Sequence, residues 1–407
     1  MNDDHAAPLH ADAQAQASTP SWLRIESIDL LRGIIIVIMA LDHTRDFFGA
    51  LDASPTDLAT TTAPLFLTRW ITNVCAPVFF LLTGTGARLA LRRLSKWQLS
   101  RFLLSRGLWL IFLEIVVMRF ALQFNLDYRV TILTVLWALG WSMIVLGVLI
   151  HLPDRAIAAF GAVLVVGHNL LDGIPASAFG SLAPVWSVLH APGFLVNSSR
   201  HVVLVAYPLI PWIGVTALGY LLGQAYRWND ARRRTLLWRL GLGFSVGFVL
   251  LRLWNVYGDP LAWSARESPL WTLLSFLGTQ KYPPSLLFLL MTLGPALLLL
   301  RALDGGTPRW LRPALTIGKV PLFFYVLHFY LIHLLAVAAS YLRYGSVDGL
   351  FRSPDLGHFP FTAPPGWAAP LPVIYLLWVF VVIALYPLCR WYAGVKRRRK
   401  DWWLSYL

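Results

Sequence analysis

The sequence predicts an all-α fold: a polytopic transmembrane helical bundle of about ten spans with both termini in the cytoplasm. Three observations predict it. The chain is 57% hydrophobic and only 13% charged, with mean hydropathy +0.62, well above the roughly 45–50% apolar content of soluble domains. Apolar stretches of about 20 residues recur, the length that crosses a bilayer core as a helix. With an even number of spans, the 34 Lys and Arg divide into 20 on the inner side, 7 in outer loops and 7 within spans, which is the positive-inside pattern.

Residues 1–23 are rich in Ala, Gln, Ser, Pro and His, with Asp3 and Asp4 where a secretory signal carries positive charge. They read as a disordered cytoplasmic tail that is not cleaved. The membrane domain is 24–395, with spans near 28–48, 68–87, 102–118, 132–149, 156–171, 202–220, 236–253, 282–300, 317–338 and 371–389. Outer loops near 172–201, 254–281 and 339–370 are rich in Pro, Gly and Trp, suited to capping an outward cleft. Pro208 and Pro211 are expected to break the sixth span. Residues 396–407 form a basic cytoplasmic tail opened by Lys396, Arg397, Arg398, Arg399 and Lys400. The net charge of +14 is thus explained by topology and anionic lipid headgroups; no nucleic acid is expected as a partner. Cys75 and Cys389 fall in spans at opposite faces, so no disulfide is expected.

Ionisable side chains inside spans are costly and mark functional candidates. The first span carries Asp29 and Arg32 near its inner end and Asp42, His43, Arg45 and Asp46 toward its outer end. Arg32 and His43 are 11 residues apart, three turns plus about 20°, so they share a face with an axial separation of about 16 Å. That separation is comparable with an extended pantetheine arm. His43 and Asp46 stand at i and i+3, so the carboxylate is placed to orient the imidazole as a general base requires. The competing reading is that Asp42, Arg45 and Asp46 neutralise one another, and that Asp29 with Arg32 is a structural pair. In the ninth span His328 shares a face with Tyr325, whereas His333 points about 140° away. No paired-ligand spacing suits a metal, and none is predicted. Glu114, His168 and Asn169 add polar groups at mid or outer depth, and a phosphate loop, a dinucleotide glycine signature and a serine nucleophile elbow are all missing. A proton-coupled transporter or flippase fits these residues as well as an enzyme does, and a non-catalytic membrane subunit is a lesser third reading.

Several short motifs occur in a particular order: Ser27-Ile28-Asp29-Leu30-Leu31-Arg32-Gly33 with a hydrophobic run to Asp42-His43, then Cys75 to Gly84, Tyr207 to Trp212, Lys281 to Leu286, Pro321 to His328, and the ending Trp402 to Leu407. In this the chain resembles the heparan-alpha-glucosaminide N-acetyltransferase catalytic-domain family, in its bacterial branch, within the transmembrane acyltransferases. The resemblance implies transfer of acetyl from cytoplasmic acetyl-CoA to a sugar amine or hydroxyl of a glycan or glycolipid on the far side. It also implies an integral protein of a bacterial inner membrane, with membrane lipids as neighbours. His43 carries over as the catalytic histidine, with Asp42, Asp46 and His328 beside it. Arg32 is implied as a contributor to the acyl-CoA site, joined by Asp29, Arg92 and Arg93. Lys281, Tyr282 and His190 are assigned to the acceptor. Phe47 to Pro64 departs from the characterised lysosomal enzymes, so heparan itself is not inferred. Small and aromatic residues along the spans also suit a homo-oligomer.

Overall fold

The computed structural model describes residues 25–50, 54–353, 360–399 and 401–406, with Trp402 and Ser405 described by backbone alone. The tail predicted at 1–23 lies outside the described residues, as do Lys400 and Leu407 of the basic tail. The helices are α1 (Glu26–Phe48), α2 (Ala63–Thr72), α3 (Cys75–Ala90), α4 (Lys96–Phe112), α5 (Arg119–Gln123), α6 (Val135–Leu149), α7 (Asp154–Gly167), α8 (Ala183–Leu189), α9 (Leu209–Leu222), α10 (Asp230–Trp254), α11 (Pro269–Leu277), α12 (Leu286–Leu303), α13 (Arg312–Gly318), α14 (Pro321–Tyr344) and α15 (Leu371–Arg398). Three short strands join them: β1 (Val130–Leu133), β2 (Gly193–Asn197) and β3 (Val202–Val205).

Local chemistry explains the helix starts. Ser95 and Gln98 form a reciprocal capping box at α4, and Asn229 and Ser285 side chains accept from the third residue of α10 and α12, each satisfying an otherwise orphaned N–H. Among the described residues, six segments are long and apolar enough to cross a membrane: Ala63–Ala90, Asp154–Leu171, Asp230–Trp254, Leu286–Leu303, Pro321–Tyr344 and Leu371–Arg398. Four of the ten expected spans are not among them. The 23-residue α1 is long enough, but it carries charges at both ends. The span expected at 102–118 runs through α4 into a π-helical turn, Leu113–Met118.

The other two correct the all-α expectation. The segments expected as helices from 132 and 202 both begin in strands, and β3 pairs in parallel with β1 and antiparallel with β2. Val130-Thr131-Ile132-Leu133 and Val202-Val203-Leu204-Val205 are apolar but largely β-branched, and apolarity alone does not separate a short strand from a helix. Pro208 and Pro211 do not break a helix: Pro208 precedes α9 in extended conformation and Pro211 sits in its first turn, where a missing N–H costs nothing.

Helices close on one another through glycine. A Cβ on Gly84 of α3 would lie 2.0 Å from the Thr216 carbonyl oxygen, and one on Gly219 of α9 would lie 2.2 Å from that of Leu81. Gly33 of α1 and Gly318 of α13 are tighter still, at 1.8 Å from the carbonyl oxygens of Ala314 and Asp29. Where lipid replaces water, such close backbone approach is what holds helices together. The central helix is α1, which packs against α3, α12, α13, α14 and α15, so its polar residues end up inside the bundle.

Candidate active site

Three cavities lie in a row along α1. The first, about 290 Å³, is lined mostly by apolar side chains of α1, α3, α4, α6 and α14, and carries Arg32, Arg106, Lys319 and Lys396. Arg32 belongs to the first turns of α1 and Lys396 to the last turn of α15, so the two ends of the described bundle meet at this basic rim. The second cavity, about 140 Å³, holds Asp42, His43, Asp46, Arg69, Cys75, Tyr207, Lys281 and Tyr282. The third, about 390 Å³, continues past Arg45, Asn73 and Gln280. Met39, Val135 and Tyr325 line both the first and the second cavity. Asp46, Arg69, Lys281 and Tyr282 line both the second and the third. His43 therefore lines the middle of three adjoining cavities, the first of which carries the basic rim.

Each wall has a reason to be where it is. The sheet delivers two of them: β1 runs straight into Thr134 and Val135 at the start of α6, and β3 runs into Tyr207 before α9, held by Ala206 N–H donating 3.0 Å to the Leu133 carbonyl. The Lys281–Tyr282 turn is anchored by Asp259, whose carboxylate accepts from Gln280 N–H at 2.9 Å, from the Ser285 hydroxyl at 2.5 Å and from Leu261 N–H at 2.8 Å. Burial pushes the Asp259 carboxyl above its ordinary value despite these donors. From the other side His168 Nε2 meets the Pro284 carbonyl at 2.9 Å, and Asn169 accepts from Leu286 N–H at 2.9 Å.

His43 Nδ1 faces Asp46 Oδ2 at 3.5 Å, the pairing the i, i+3 spacing predicted. An Nδ1–H held by that carboxylate leaves Nε2 as the basic nitrogen. The imidazole sits 4.3 Å from the Phe329 ring, 5.3 Å from His328 and 6.4 Å from Tyr325. His328 is fully buried; its Nδ1 contacts the Phe324 carbonyl at 3.2 Å, while its Nε2 has no hydrogen-bond partner. Asp42 is spoken for: Arg45 bonds one oxygen at 2.8 Å and Arg69 bonds the other. Arg45 also reaches Asp46 at 2.6 Å, so mutual neutralisation and orientation of His43 coexist in one cluster. Burial raises the Tyr282 phenol, but Lys281 and Arg69 outweigh it and hold the group below its ordinary value.

Other predicted residues do not reach these cavities. Asp29 bonds Arg32 at 2.9 Å without lining the first cavity. Arg92 donates to the Tyr226 carbonyl at 2.6 Å, and neither it nor Arg93 lines that cavity. His190 turns to Asp172, Nε2 to Oδ1 3.2 Å, and packs on Trp186 and His168, and it lines neither the second nor the third cavity. Sequence reasoning missed Arg69, Arg106, Lys319, Thr134 and Tyr207. The first three are cations within or beside predicted spans, and that position was a usable signal for them. His333, as expected, faces elsewhere, between the Ala121 and Leu350 carbonyls. Among the described residues no group of three or more His, Cys, Asp or Glu is placed to hold a metal.

No curated protein matches the chain. A family model does, that of heparan-alpha-glucosaminide N-acetyltransferase, catalytic, over residues 24–248. The match takes in more than half of the 407 residues and includes Arg32, His43, Asp46, Arg69 and Arg106, while Lys281, Tyr325 and His328 lie beyond it. The chain belongs to the heparan-alpha-glucosaminide N-acetyltransferase catalytic-domain family.

Proposed function

We propose that this member of a membrane acetyltransferase family moves acetyl from cytoplasmic acetyl-CoA to an amine or hydroxyl of a glycan or glycolipid on the opposite side. The observation that carries the reading is the succession of three cavities that share walls, with His43 on the middle one. Arg32, Arg106, Lys319 and Lys396 supply charge for the phosphates of CoA. The apolar first cavity takes the pantetheine arm, and the thioester comes to rest at Met39, Val135 and Tyr325, one turn of α1 below His43. The acceptor arrives from the third cavity past Lys281 and Arg69, which suits an acceptor bearing acidic groups. His43 Nε2 removes the acceptor's proton as it attacks the thioester carbon, and Asp46 holds the imidazole and stabilises its charged form. His328 packs behind His43 and fixes the ring's depth.

The test is a sided assay. Purified protein is reconstituted into vesicles with labelled acetyl-CoA on the face bearing Arg32 and Lys396 and glucosamine oligosaccharides on the other. Labelled acceptor formed across the bilayer, and abolished in His43→Ala, is the expected result. Movement of acceptor across the membrane without acetyl-CoA would instead favour a transporter that uses the same path.

A further inference from the structure

The mechanism so far leaves the departing sulfur without a proton. Thioester cleavage releases a thiolate on the side of the first cavity, because the acceptor enters from the second. Of the three residues common to both cavities, Met39 and Val135 carry no transferable proton; Tyr325 does. Its ring is buried and stands edge-on to His43 at 6.4 Å, and both line the second cavity. Thr134 lines the second cavity with it. Thr134 is itself held by Glu114, which accepts from the Thr134 N–H at 2.8 Å and from its hydroxyl. Glu114 sits in the π-helical turn Leu113–Met118, a local widening common at functional sites, and its second carboxylate oxygen has no hydrogen-bond partner.

Resting on the acetyltransfer reading, we propose that Tyr325 is the general acid of the reaction, protonating the CoA sulfur as the C–S bond breaks. The acceptor's nitrogen or oxygen forms its bond to the carbonyl carbon and gives its proton to His43. The C–S electron pair leaves on sulfur, which takes the phenolic proton. The resulting phenolate and imidazolium then neutralise each other by proton transfer across the second cavity, restoring both groups. The net change is one proton moved from acceptor to thiol, with no external donor. Glu114 in turn fixes Thr134, which lines the same cavity as Tyr325.

The experiment compares two donors in wild type and Tyr325→Phe: acetyl-CoA, and the acetyl thioester of 4-nitrothiophenol, whose thiolate is stable enough to leave unprotonated. With acetyl-CoA the expected loss in kcat is about 10²-fold, with KM for acetyl-CoA unchanged, which also shows that the variant is folded. With the aryl thioester the expected loss is under about 3-fold, since general-acid help has little left to supply. Equal losses with both donors, or none with either, overturn the assignment. A raised KM for acetyl-CoA at unchanged kcat also overturns it, because Tyr325 would then serve binding alone. A wild-type protein that never uses acetyl-CoA removes the acetyltransfer reading itself, whereas an active Tyr325→Phe removes only the role of Tyr325.

Discussion

His43 and His328 face one another from α1 and α14 with ring centroids 5.3 Å apart, and only His43 has a carboxylate against its ring. The carboxylate suits His43 to the base's part in the proposed reaction, and His328 packs against it. His43→Ala is expected to lower acetyl transfer by about 10²–10⁴-fold, the range for general-base help, while leaving acetyl-CoA binding intact. Turnover measured beside equilibrium binding separates the two effects.

The Asp42 carboxylate is buried between Arg45 and Arg69. Arg69→Met removes one of its two cations and leaves charge uncompensated, at a cost of about 3 kcal/mol. Adding Asp42→Asn in the same protein should recover most of that loss, since the stranded charge disappears. Thermal unfolding of the single and double variants in nanodiscs gives the comparison; a double variant less stable than Arg69→Met would show that the pair is held by something other than charge.

Gly318 and Gly33 let α13 and α1 touch backbone to backbone. In Gly318→Ala the new Cβ meets the Asp29 carbonyl, which cannot move without parting the helices. Overpacking of this kind costs about 3 kcal/mol. Because Arg32 and Lys319 flank this contact on the rim of the first cavity, acetyl-CoA binding should weaken together with the unfolding temperature.

The anchor of the Lys281–Tyr282 turn gives a pH prediction. Burial raises the Asp259 carboxyl in the folded protein, so the folded state binds that proton more tightly than the unfolded chain, whose aspartates titrate near about 3.9. Stability from this group is full below that value and falls as pH rises through the raised folded value. Asp259→Asn should flatten this part of the stability–pH curve, read from unfolding temperatures taken across the acidic range. It should also raise KM for the acceptor, because an amide cannot accept all three of the bonds that hold the turn.

Much of this was legible in the chain itself. Helical arithmetic puts Arg32 and His43 on one face of α1, and they line two adjoining cavities. The i, i+3 spacing paired His43 with Asp46, and angular spacing separated His328 from His333. What periodicity does not carry is contact between distant segments. Tyr207 and Thr134 join the site only because β1 and β3 pair, and those strands look like continuing helix when hydrophobicity is the only signal. Arg92 and Arg93 belong to the inner basic cluster, but cluster membership says nothing about which cation turns inward. Arg106 and Lys319 reach the first cavity from helix faces that no local spacing relates to Arg32. His190, expected at the acceptor, pairs with Asp172.

The central claim is that the basic rim and the apolar first cavity hold acetyl-CoA beneath His43. Calorimetric titration of acetyl-CoA into the purified protein in nanodiscs, beside the same titration of Arg32→Ala, tests it most directly. Saturable binding at one site, weakened at least about tenfold by the substitution through loss of a charge-assisted contact, is the predicted result. No saturable binding by protein shown to be folded, or binding indifferent to Arg32, would contradict it.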